Sequence, residues 1–161
     1  MKPGPRKLAL IAHVASSVGW IGAVTCFLAL AIVGFANDDG LAPAAAYVAM
    51  DLVYSYVIVP FGLASLLTGF VSSLGTEWGL IRHYWVLVKL LLSIPLIILM
   101  LVHARPVRYL ANAAAEGTLS NSDLGGLRVQ LVADSGAALL ALVVAMTLAL
   151  YKPAGMTRYR A

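Results

Sequence analysis

The chain has 161 residues, 61 % of them hydrophobic and 11 % charged, where a soluble domain carries roughly 25 % charge. With a mean hydropathy of +0.92, its few polar side chains cannot coat a water-soluble globule, so the chain reads as an integral membrane protein. The net charge of +4 is scattered, with no basic face interleaved with aromatics, and Cys26 is the single cysteine; nucleic acid is excluded as a partner, and so are a disulfide framework and a Cys-based zinc site.

A bilayer core asks for about 20 apolar residues in helical form, and the chain supplies such a run four times. The spans are expected at about 8–35, 51–74, 84–102 and 129–151. Lys2, Arg6 and Lys7 precede the first run, which is far longer than the roughly 7–15 residues of a signal sequence and so stays as a span. "NDDGLAP" (37–43) reads as a short outer turn, with Pro43 in the first turn of a helix that runs on into the second span. "GTEWGLIR" (75–82) reads as an inner loop. The longest connection lies between His103 and Arg128. Pro106 stands near its start, "PVRYLANAAAE" is expected to form a short surface helix, and Asn121 or Ser122 to cap the fourth helix with Asp123 in its first turn.

The expected architecture is all-α: one integral membrane domain over 1–161, a transmembrane antiparallel four-helix bundle. Small residues recur every fourth position (Ala15, Gly19, Ala23; Ser65, Gly69, Ser73; Ala133, Ala137, Ala141, Ala145) and predict packing seams. Pro60 and Pro95 should bend the second and third spans, with Ser65 or Ser93 taking up freed carbonyls. With the N-terminus inside, the inner segments hold seven Lys and Arg and the outer segments three, which puts both termini in the cytoplasm. Trp78, Tyr84, Trp85, Tyr151 and Tyr159 fit as aromatic anchors at that inner interface.

Ionisable groups within a bilayer are costly and mark candidate sites. An inner pair, His13 and His83, has the chemistry to hold a b-type haem by two axial imidazoles. Against that, His83 in "RHYW" reads equally as an interface anchor, and His13 as a hydrogen-bonded core residue sharing a face with Ser17 and Trp20. Lys89 is read as snorkelling toward the interface past Trp85, or as half of a buried ion pair. An outer trio, Asp51, His103 and Asp134, draws one residue from each of three helices, with Tyr54, Gln130 and Ser135 at similar depths. It can bind a divalent metal ion, relay a proton, or form a structural network with one carboxyl protonated. No G-x-S-x-G, P-loop, H-E-x-x-H or dinucleotide fingerprint occurs, which points away from an enzyme. Cys26 reads as a small packing residue.

"KLALIAHVASSVGWIGA" (7–23), "SLLTGFVSSLGTEWGLIRHYWVLVKLLL" (65–92) and "LYKPAGMTRY" (150–159) resemble a family of small bacterial predicted integral membrane proteins with four spans and no assigned function. His13, Trp20 and Gly22 are also similar to the first-span pattern of the copper-resistance protein CopD membrane domain, which would imply copper import; no Met-rich or multi-His motif accompanies them. The first resemblance implies a multi-pass protein of the bacterial inner membrane. The reading favoured by the residues is a non-enzymatic bundle in the lipid bilayer whose polar outer pocket binds an ion or small ligand, or supports a membrane partner or a second copy. The alternatives are electron transfer by haem on His13 and His83, and metal or proton transport through Asp51, His103 and Asp134.

Overall fold

The computed structural model describes residues 3–36, 40–74, 83–119 and 124–151. Every element among them is helical. α1 is Pro3–Ala36; α2, Leu41–Val53, passes through a π-helical turn, Tyr54–Ile58, into α3, Val59–Leu74; α4 is Tyr84–Ala115 and α5 is Gly125–Tyr151. These make four rods, the second built from α2, the π turn and α3. The shortest has 27 residues, roughly 40 Å at 1.5 Å per residue, more than the ~30 Å of a bilayer core.

The surface of the rods fits the apolar solvent that the composition implies. Leu10, Ile32, Leu67, Leu91, Ile98 and Leu140 stand exposed, while Ser16, Ser65, His103, Arg128 and Ser135 are buried. A water-soluble bundle shows the reverse. Helices apolar all round need an apolar medium, and all four rods are long and apolar enough to cross a membrane.

α1 packs on α2, α3 and α5, and α4 packs on α2 and α5, so the rods form an antiparallel ring in chain order. The N-terminus of α1 and the C-terminus of α5 lie at one end, here the terminus end. The end of α1, the start of α2, the end of α4 and the start of α5 lie at the other, the loop end. The core gathers toward the loop end: Tyr47, Met50, Val107 and Leu110 are the deepest side chains, joined by Phe27, Ala31 and Leu131. Gly34 of α1 makes this closeness feasible, because a Cβ there would stand 2.6 Å from the Tyr47 ring.

Several local expectations are corrected. The third span does not stop near 102: α4 continues through Pro106 to Ala115. Losing one backbone donor at Pro106 is outweighed because Val107, Leu110, Ala111, Ala113 and Ala114 form a buried face there. "PVRYLANAAAE" is thus helical, but as an extension of the span. The alanine seam on α5 is displaced. Ala133 and Ala137 are exposed, whereas Arg128, Leu131, Ser135, Leu142 and Ala145 face inward, following the 3.6-residue helical period rather than an every-fourth stripe. Ala15 is exposed too, although Gly19 and Ala23 do face the bundle. Cys26 is exposed rather than packed. The capping residues Asn121, Ser122 and Asp123, the anchors Trp78 and Tyr159, and the loop 75–82 lie outside the described residues.

Pro60 is accommodated by the π turn just before it, where the Val59 N–H bonds back to the Tyr54 carbonyl. A proline ring collides with the carbonyl four residues earlier in a regular α-helix. A wider turn moves that carbonyl aside. Ser65 does not serve as the expected local repair: its hydroxyl pairs across to Ser17 at 2.8 Å.

Candidate functional site

Toward the terminus end the ring of helices does not close. α3 buries only Gly62 and Ser65, and α4 before Ile97 buries only Val86. Between the N-terminal half of α1, the C-terminal half of α3, the start of α4 and the end of α5 lies a cavity of about 500 Å³. Its polar wall includes Arg6, His13, Ser17, Ser65, Ser72 and Lys89, and its apolar wall includes Trp20, Ile21, Leu66, Leu142 and Ala145.

His13 is held by α3. Its Nδ1 lies 3.1 Å from the Ser65 carbonyl, an atom that only accepts, so Nδ1–H is the donor; Thr68 Oγ1 stands 3.3 Å away. The ring rests on Gly69, where a Cβ would come 3.1 Å from His13 Cε1. Ser16 adds a bond of 2.8 Å to the Ala12 carbonyl and approaches Thr68 Oγ1 at 3.4 Å. The α1–α3 seam is therefore a hydroxyl and imidazole ladder of the kind that joins helices in lipid. Lys89, on α4, turns its ammonium toward Trp85, 5.8 Å from the ring centroid, the direction expected of a snorkelling lysine. Among the described residues no carboxylate pairs with Arg6 or Lys89. Ser72 Oγ is buried and has no hydrogen-bond partner among the described residues.

A second, smaller cavity of about 70 Å³ lies deeper, and Trp20 and Leu142 belong to the walls of both. Tyr54, Met100, His103 and Asp134 line it. Of the outer trio, the structure brings His103 and Asp134 together. His103 Nε2 and Asp134 Oδ2 are 2.6 Å apart, with the histidine side chain 10 % and the aspartate 32 % exposed. His103 Nδ1 lies 2.8 Å from the Leu99 carbonyl, so Nδ1 carries a hydrogen. One further proton then sits between Nε2 and Oδ2, either as imidazolium with carboxylate or as imidazole with carboxylic acid. Gln130 Nε2 stands 3.4 Å from the same nitrogen. The Tyr54 hydroxyl donates to the Met100 carbonyl, and Ser135 bonds back to Leu131 O at 2.6 Å.

The other expected site residues are not brought together. Asp51, half-buried on α2, does not join His103 and Asp134, and among the described residues no three His, Cys, Asp or Glu side chains are placed to hold a metal ion. His83 sits at the N-cap of α4 with its ring 6.4 Å from that of Trp85 and is not part of the wall that His13 lines. The two imidazoles thus do not face one space.

Sequence reasoning missed Arg128, which it counted as a loop charge. It is buried, it donates to the Leu119 carbonyl, and its guanidinium lies 5.8 Å from the Tyr47 ring centroid. Its place at i−3 from Leu131 and i−7 from Ser135, on the inward face, was the available signal. Thr68, which ties His13 to α3, was missed because the seam was sought in small residues alone.

Set against known proteins, the chain matches no family model, no curated protein and no solved structure.

Proposed function

We propose that this chain is a non-enzymatic, ligand-binding membrane bundle whose site is the terminus-end cavity rather than the small cavity beside Asp134. The observation that carries this is the cavity itself. At about 500 Å³ it falls inside the roughly 300–1,000 Å³ of small-molecule sites, and it combines apolar walls with a few convergent polar groups. The excess of Lys and Arg on the terminus side supports a cytoplasmic location for that end, and the resemblance to small bacterial four-span proteins supports the inner membrane. In this orientation the cavity belongs to the cytoplasmic leaflet.

The test is native mass spectrometry of the full chain purified in detergent. Small-molecule adducts in 1:1 stoichiometry are expected, and Ala145→Phe, which fills the cavity from α5, should reduce them. Adducts indifferent to that substitution would refute the reading.

A second reading, proton handling, is favoured by the 2.6 Å contact between His103 and Asp134 beside a small cavity. Proton flux into proteoliposomes that is lost in Asp134→Asn supports it; flux unchanged in that variant removes it. Haem on His13 and His83, and a metal ion on Asp51, His103 and Asp134, lack a shared site in the fold and are not carried further.

A further inference from the structure

Resting on the reading of the terminus-end cavity as a ligand site, we infer that its ligand is an amphiphile with an anionic oxygen-bearing head and a long apolar chain, the head held by Arg6 and Lys89.

Charge comes first. The cavity wall contains two basic side chains, Arg6 and Lys89, and no Asp or Glu. Arg6 is exposed near the end of its helix and Lys89 is half-buried; for Lys89, farther from water, an uncompensated cation is expensive, and among the described residues no protein carboxylate pairs with either. The Trp85 ring gives Lys89 only a partial substitute at 5.8 Å. An anionic ligand completes what the protein leaves open.

The polarity gradient comes second. Arg6, Ser72, Ser73 and Trp85 lie within about a turn of the helix ends, at the depth where headgroups begin. Lys89 is five residues into α4, roughly 8 Å along it. Farther in, Ser17 and Ser65 are already bonded to each other at 2.8 Å, and the remaining wall there is Leu66, Trp20, Ile21 and Leu142. A head is therefore offered hydrogen-bond donors and charge, and a tail is offered hydrocarbon. Ser72 is the third observation: its buried hydroxyl lines the cavity without a partner among the described residues, and an acceptor oxygen on the ligand satisfies it.

A carboxylate on a free fatty acid and a phosphodiester on a bilayer lipid share this chemistry, and the experiment separates them. The full chain in detergent is titrated with palmitate, with phosphatidylglycerol, and with phosphatidylcholine of the same acyl composition, and read by native mass spectrometry. At least one anionic probe is expected to bind 1:1 and more tightly than phosphatidylcholine, with Lys89→Gln and Arg6→Gln each weakening it by about fivefold, the worth of one basic side chain against an anionic headgroup. A response to palmitate alone identifies a free fatty acid, and a response to phosphatidylglycerol alone identifies a bilayer lipid. Equal binding of all three probes, or a preference that survives both Gln substitutions, overturns the anionic head. If Ala145→Phe or Ala149→Phe, folded by thermal melting, still lowers binding in that case, the ligand site stands without its charge selectivity. If neither Phe variant changes any binding, the cavity is not the ligand site and both statements fall.

Discussion

The loop-end and terminus-end halves of the bundle are equally greasy in sequence, yet one is closed and the other is hollow. In the loop-end half, Gly34 admits the Tyr47 ring, and Ala111, Ala113 and Ala114 let α4 lie close against its neighbours. In the terminus-end half the inward positions carry His13, Ser17, Lys89 and Ser93, side chains whose polar ends hold helices apart or bridge them singly. In lipid, apolarity does not drive helices together, because acyl chains are as apolar as leucine. Shape and polar pairing decide, and the two halves show the two outcomes.

Truncating the packed half should therefore cost far more than truncating the hollow one. Leu110 is fully buried, and Leu110→Ala should lose about 2–4 kcal/mol, the range for a cavity in a tight core. Leu90 lines existing space, and Leu90→Ala should cost well under that. Chemical denaturation of both variants in one detergent checks the ratio, and equal losses would break the contrast between the halves. Glycine sharpens it next. Gly34→Ala forces a Cβ to 2.6 Å from Tyr47 and should cost about 1–3 kcal/mol by overpacking, whereas nothing lies within 4 Å of a Cβ at Gly22 or Gly136. Alanine at either of those should leave stability within about 0.5 kcal/mol, read as the shift in unfolding midpoint.

The four rods were legible because runs of some twenty apolar residues have few other uses. The His103–Asp134 pair was legible for a related reason: an acid and an imidazole inside two spans have little choice but each other. Asp51 was grouped with them by depth alone, and depth does not fix which way a helix face turns. The extension of α4 past Pro106 was hidden because proline is a local signal, while the burial of Val107 and Leu110 that overrides it belongs to the tertiary structure. The cavity was hidden most deeply, since a void is what side chains on four separate segments fail to fill. His13 was singled out, but as half of a pair with His83 that the fold does not make. For the pair that it does make, Asp134→Asn should cost about 1 kcal/mol, near the upper range of interhelical hydrogen bonds measured in membranes. A double-mutant cycle with His103→Gln checks this, and strict additivity would mean that the 2.6 Å contact contributes nothing to coupling α4 and α5.

The smallest effect is expected at the joint between the halves. The π turn Tyr54–Ile58 connects α2, packed on α4, to α3, packed on α1, and Pro60 stands just beyond it. Two causes compete for the turn: relief of the proline ring, and the need to keep both halves in register. Converting the turn to regular α-helix would remove one residue from the path and rotate one half against the other by about 100°. Either Tyr54 and Ile58 would then leave the core, or Ser65 and Thr68 would swing away from His13. That rotation costs several buried contacts, against one recovered backbone hydrogen bond worth about 1 kcal/mol. Pro60→Ala should accordingly keep the π turn and move the unfolding free energy by less than about 0.5 kcal/mol. A gain of more than about 1 kcal/mol would assign the turn to the proline instead, and would mean that the register of the hollow half is set locally rather than by the packed half.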